Sequence, residues 1–211
     1  MSGAAWPERP RAWLEARQLE VEQIDPARRV LLQELAAAVR ERLAASGRAD
    51  LVFVCTHNSR RSQFGQVWAQ VAADWHGLAG VRAFSGGTEV TACAPGTLDA
   101  FRRVGLDVER ATDDLANPVW RIAAGTAAES RCWSKQVADP ANPDRDFLAV
   151  MTCSSADEAC PFVPGAAHRL AVRYADPKVA DGTPREESTY DARCAEIARE
   201  MLYAMSSVRA G

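Results

Sequence analysis

Leu51-Val52-Phe53-Val54 is an unbroken apolar run that passes directly into the polar stretch Cys55-Thr56-His57-Asn58-Ser59-Arg60-Arg61-Ser62. A run this short, apolar at every position, is the pattern of a strand buried on both faces in a parallel sheet. Beyond the polar stretch, Phe64, Val67, Trp68, Val71, Ala72 and Trp75 recur at helical spacing and mark the buried face of a helix that ends near Gly77. The order is strand, loop, helix.

The same alternation continues along the chain. Val81 to Phe84, with a break at Ser85-Gly86-Gly87, predicts a second strand, and Pro95 to Val104 a second helix that turns Leu98 and Phe101 inward and stops at Gly105. Phe147 to Met151 is a further short apolar run, read as a central strand that delivers Cys153 to the same end of the sheet as Cys55. Leu170 to Tyr174 is expected to be the last strand. After Ser188, the residues Tyr190, Cys194, Ile197, Ala198, Met201 and Met205 trace the inner face of a terminal helix. The stretch 111–146 is punctuated by Asn117-Pro118, Asp139-Pro140 and Asn142-Pro143 and predicts irregular structure over much of its length. Strands alternating with helices make a doubly wound, mostly parallel α/β domain.

Ahead of this unit, Asp25-Pro26 has the form of an N-cap and first-turn proline, and Leu31, Leu35, Val39 and Leu43 repeat at helical spacing until Gly47. Residues 26–46 are therefore expected to be helical, as a packing or dimerisation element. The expected organisation is an N-terminal helical extension over 1–49 and a catalytic domain over 50–211, as a monomer or homodimer.

Composition narrows the function. With 47% hydrophobic and 25% charged residues and no apolar run long enough to span a bilayer, no membrane role is expected. Met1 to Pro10 lacks the basic and apolar regions of a secretion signal, so a cytoplasmic location is expected. A formal net charge of −3 offers no basic surface for nucleic acid. In a reducing compartment six cysteines are more readily catalytic, redox-active or metal-binding than structural.

Cys55 and Arg61-Ser62 sit where a buried strand meets a helix start. There, unpaired backbone N–H groups and the positive end of the helix dipole favour an anion, whether a tetrahedral oxyanion or a thiolate at Cys55. Arg61 can hold two oxygens of such a ligand in its planar fork. Ser62 and Ser59 can donate to the sulfur, Asn58 can brace the loop, and Thr56, His57 and Arg60 complete the expected oxyanion-binding set.

Phe53 to Gln63 resembles the signature loop of the low-molecular-weight protein tyrosine phosphatases and of the thioredoxin-coupled arsenate reductases that share their fold. Ser85-Gly86-Gly87-Thr88, the helix from Pro95 to Asp107 and Tyr174-Ala175-Asp176-Pro177 resemble further parts of that family, so the likeness covers roughly 50–206. It implies a four-stranded sheet and casts Asp176 as general acid. Two positions depart from the family pattern: His57 stands where glycine is usual and Arg60 where a second cysteine is.

Within the family, reduction of arsenate requires two electrons and ester hydrolysis none. Cys153-Ser154-Ser155-Ala156-Asp157-Glu158-Ala159-Cys160-Pro161 resembles the Cys-x6-Cys-Pro redox segment of the reductases. That resemblance implies arsenate reduction by Cys55, Cys153 and Cys160 in sequence, with a mobile segment over 153–165 and reducing equivalents from thioredoxin rather than a bound cofactor. The alternative is a phosphatase that hydrolyses phosphomonoesters through a Cys55 phosphocysteine. Cys153, Cys160 and His168 lack a fourth ligand, so no metal is expected. Cys194 is expected in the core, and Cys93 and Cys132 show no partner pattern.

Overall fold

The computed structural model describes residues 6–125, 129–159 and 162–209. Two helices, α1 (Glu8–Gln18) and α2 (Pro26–Ser46), precede strand β1 (Ala49–Cys55) and helix α3 (Arg61–Trp75). Then follow β2 (Val81–Gly87), α4 (Pro95–Arg103), three short strands β3 (Asp107–Arg110), β4 (Trp120–Ala123) and β5 (Ser130–Cys132), and β6 (Phe147–Met151). The chain ends with α5 (Ser154–Ala159), β7 (Ala166–Ala171) and α6 (Glu186–Arg209).

The ends of α2 follow from local chemistry. Asp25 accepts from the N–H groups of Ala27 and Arg28, Pro26 occupies the first turn, and Gly47 closes the helix at φ 70° with its N–H on Leu43 O.

Four strands form a wholly parallel sheet in the order β2-β1-β6-β7. All of β1 is buried, and its alternation splits the core in two. Leu51 and Phe53 join residues from α1, α2, α3, α4 and α6, whereas Val52 and Val54 join Phe147, Ala149, Met151, Ala156 and Val163. One face is thus sealed by long helices and the other by α5 and loops. Because β1 and β6 are parallel neighbours, the segments that follow them, which carry Thr56 and Cys153, emerge at one edge of the sheet.

One expectation needs correction. The last strand is Ala166–Ala171, not Leu170–Tyr174; the chain leaves the sheet sooner, and Tyr174 N–H instead donates to Thr152 O at 3.0 Å. The stretch 111–146 is irregular over much of its length, as expected, but it also holds β4 and β5, which join β3 in an antiparallel sheet that the sequence did not announce. Strands of three and four residues are too short to show a period of two.

Candidate active site

The loop from Cys55 to Arg60 joins the buried end of β1 to the start of α3. Cys55 is buried, and its Sγ lies 3.1 Å from Ser62 Oγ in the first turn of α3. Asn58 orients that hydroxyl. Its Oδ1 accepts from Lys135 N at 3.0 Å, so its amide nitrogen faces Ser62 Oγ and donates to it at 2.8 Å. Accepting from Asn58 leaves the Ser62 proton free to be donated to a Cys55 thiolate. Asn58 itself takes φ 46°, a left-handed conformation that asparagine tolerates better than most residues.

A wall from 133 to 137 holds the loop from outside, and nothing in the sequence marked it. Gln63 Nε2 donates to Asn58 O and to Trp133 O, Ser134 Oγ donates to His57 O at 2.7 Å, and Gly87 N–H donates to Lys135 O. Gly87 also meets the loop directly. A Cβ added there would stand 2.6 Å from Thr56 O and 2.8 Å from Asn58 N, so only glycine lets the end of β2 come this close.

Arg61 bonds both sides of the Asp-Pro loop, with Nη2 on Asp176 Oδ2 at 2.6 Å and Nη1 on Tyr174 O at 3.3 Å. Its Nε is buried and has no hydrogen-bond partner among the described residues, an exception to the pairing expected of buried polar groups. Asp176 also caps the short turn Pro177–Ala180 by accepting from Lys178 N.

Cys153 is buried at the start of α5, where its Sγ accepts from Ala156 N at 3.3 Å and approaches Thr56 Oγ1 at 3.6 Å. The second thiol therefore touches the residue that follows Cys55. Cys160 lies outside the described residues.

The remaining loop side chains face other partners. Ser59 Oγ donates to Ala92 O at 2.6 Å rather than to the sulfur. His57 is at the rim, its Nε2 3.2 Å from Glu89. Arg60 donates to Tyr190 OH at 2.6 Å and to Asp181 at 2.8 Å. Burial pushes the Tyr190 phenol up to about 12, so it stays protonated and donates to Asp181 while it accepts from Arg60. Of the expected set, hydrogen bonds join Cys55, Ser62 and Asn58, Arg61 and Asp176, and Thr56 and Cys153, three groups carried by the loop and the start of α3, whereas the side chains of His57, Ser59 and Arg60 face partners outside the loop. His168 pairs with Glu41 at 3.3 Å, and no cluster that could hold a metal occurs among the described residues. Cys194 is buried in the core, and burial pushes its thiol up to about 12.

No family model matches the chain. An arsenate reductase from Bacillus licheniformis is 26% identical over 145 residues, which make up 68% of this chain and 84% of that protein. One from Staphylococcus aureus is 29% identical over 116 residues, 54% of this chain and 67% of the relative. Among solved structures, a mutant of YwlE from Bacillus subtilis superposes with a TM-score of 0.51 at 16% identity, over 76% of this chain and 99% of that one. That likeness is one of fold.

Proposed function

We propose that this chain, a protein of the low-molecular-weight protein tyrosine phosphatase superfamily close to the arsenate reductases, reduces arsenate to arsenite with Cys55 as nucleophile and Cys153 as the second thiol. The observation that carries this reading is the 3.6 Å approach of Cys153 Sγ to Thr56, beside Cys55, because ester hydrolysis has no use for a second thiol there.

In the proposed sequence, the Cys55 thiolate, steadied by Ser62 Oγ and the first N–H groups of α3, attacks arsenic and displaces an oxygen as water. The unpaired Nε of Arg61 and the loop N–H groups hold the remaining oxygens. Cys153, as thiolate, then attacks Cys55 Sγ. A disulfide forms, the electron pair of the S–As bond passes to arsenic, and arsenite departs. Cys160 attacks Cys153 Sγ and frees the Cys55 thiolate, and a dithiol of the thioredoxin class reduces the Cys153–Cys160 disulfide. Two thiols thus supply the two electrons of each turnover. Ala156 N–H donates to the Cys153 sulfur at 3.3 Å and so holds the second thiol at the start of α5, beside Thr56.

One observation favours a second reading. Asp176 is bonded to the Arg61 guanidinium at 2.6 Å, which keeps a carboxyl at the arginine of the loop, as general-acid cleavage of a phosphomonoester would require. Both readings are tested together by arsenate-dependent NADPH oxidation with thioredoxin and thioredoxin reductase, run beside p-nitrophenyl phosphate hydrolysis. Cys153→Ser should abolish the first and spare the second. Ester hydrolysis by both proteins, with no arsenate-dependent NADPH consumption by either, would establish the phosphatase instead.

A further inference from the structure

Arg28 lies in the first turn of α2, remote in sequence from every residue of the site, yet it is bonded to the loop that holds Arg61. Its Nε and Nη2 form a two-pronged pair with Glu200 at 2.9–3.0 Å, and Nη2 also donates to Arg173 O at 3.1 Å. Glu200 is buried on α6 and accepts from Tyr174 OH at 2.7 Å. The Arg28 guanidinium in turn lies over the Tyr174 ring, 4.7 Å from its centroid. One arginine therefore fixes Tyr174 by its ring, by its hydroxyl through Glu200, and by the carbonyl of the preceding residue. Tyr174 O and Asp176, the two acceptors of Arg61, belong to that same short stretch.

The network is built to hold one geometry. Burial and the Glu200 carboxylate raise the Tyr174 phenol well above its ordinary pKa, so it is a permanent donor. Glu200 is among the few buried charged side chains, and its oxygens are occupied by Arg28 and Tyr174. A buried pair of this kind adds little net stability over an apolar pair of the same shape, but it specifies position, since each partner left alone is costly.

We propose that Arg28 is a positioning residue of the oxyanion site: from helix α2 it locks Arg173–Asp176 so that Tyr174 O and Asp176 present Arg61 to the anion. This deepens the function proposed above and rests on its oxyanion site. It also gives the N-terminal helix a part in the chemistry beyond packing. Lysine could not replace Arg28, because a single ammonium cannot pair with Glu200 in two-pronged fashion, bond Arg173 O and cover the Tyr174 ring at once.

The test reads engagement of the oxyanion by Cys55 without thioredoxin, and so without repeated turnover, as the concentration of arsenate that halves the rate of Cys55 alkylation by iodoacetamide, followed by mass spectrometry of the Cys55 peptide. Arg28→Met and Arg28→Lys should each raise that concentration about tenfold, the loss expected when a charge-assisted hydrogen bond is misaligned. Leu35→Ala, a core change on the same helix, should lower thermal stability and leave the protection unchanged, which separates positioning from general destabilisation. Because Arg28→Met leaves Glu200 buried and half-paired, Arg28→Met/Glu200→Gln is measured with it; the double variant keeps a partner for Tyr174 OH and should still lose protection. Unaltered affinity in the folded Arg28 variants, or in the double variant, overturns the proposal. Absence of arsenate protection in the unaltered protein would instead overturn the oxyanion site itself.

Discussion

Burial lowers the pKa of Lys135 from 10.5 to about 8, against opposing contributions led by Cys132 and Asp139, and the ammonium rests 4.0 Å above the Trp133 ring. Below pH 8 folded and unfolded chains both carry the proton, so the cost of burying the charge is fully present, about 3 kcal/mol for a lowering of this size. Between about pH 8 and 10.5 the unfolded chain holds the proton that the folded chain has lost, and stability contributed at this residue rises with pH. Lys135→Met should therefore raise the urea midpoint at pH 7, by an amount that shrinks steadily toward pH 10.5. A gain that is constant across this range would show that the amine does not titrate in the fold. The loop should survive the change, since Lys135 braces Asn58 and Gly87 through its backbone. Residues such as this one were not legible in the sequence. Cys55, Asn58, Arg61 and Ser62 were, because one strand-to-helix turn dictates where they lie relative to one another. The partners of His57, Ser59 and Arg60 come from Glu89, Ala92, Asp181 and Tyr190, and no local pattern connects residues so distant in sequence.

At the scale of elements, long apolar runs and strong caps were readable, and short strands were not. The bounds of α2 follow from Asp25, Pro26 and Gly47, and the two central strands, β1 and β6, from the runs Leu51 to Val54 and Phe147 to Met151, which are apolar at every position. The small sheet β3-β4-β5 escaped notice, yet the segment that leaves it supplies Ser134 and Lys135 to the loop. Asn117 ties that segment back, with its Nδ2 on Ser134 O at 2.7 Å and its Oδ1 on Ser134 N at 3.1 Å. The wall and the end of β2 hold the oxyanion loop between them, so the width available at Gly87 sets the loop's shape. In Gly87→Ala the new methyl meets backbone atoms on the loop side rather than a side chain that can turn away. The expected cost is about 1–3 kcal/mol of stability from overpacking. Arsenate protection of Cys55 should fall as well, because in the proposed site the displaced Thr56–Asn58 backbone would carry the anion's N–H donors. A urea titration and the alkylation assay read the two effects separately, and a stability loss with protection intact would mean that the loop adjusts without consequence.

Across the whole molecule, the two helices that precede β1 are not set apart from the sheet. Leu14, Ile24, Leu32, Leu35 and Val39 are buried in the same core as Leu51, Phe53, Phe64, Trp68 and Phe101. Trp13 of α1 stacks on Trp68 of α3 at 4.9 Å and carries the Arg17 guanidinium 4.9 Å from its own ring centroid, and Trp6 meets Trp75 edge-on at 5.2 Å. The α6 helix is the hub, since α1, α2, α3 and α4 all pack against it while it carries Glu200 toward Tyr174. Helical periodicity announced α2, but the prolines and weak amphipathicity around Glu8–Gln18 concealed α1, whose two buried residues are Pro10 and Leu14. Removing residues 1–48 would bare the inner faces of α3 and α6 and strip Arg28 from Glu200 in one step. Each fully buried leucine lost from such a core costs about 2–5 kcal/mol, and several of them exceed the whole stability of an ordinary domain. A chain that starts at Ala49 should therefore keep part of its far-ultraviolet dichroism, lose the near-ultraviolet signal of its tryptophans and bind a hydrophobic dye, with no arsenate protection of Cys55. A truncated chain that unfolds cooperatively and still protects Cys55 would mean that the sheet and its remaining helices form a self-sufficient core, and that Arg28 acts on the site from a dispensable element.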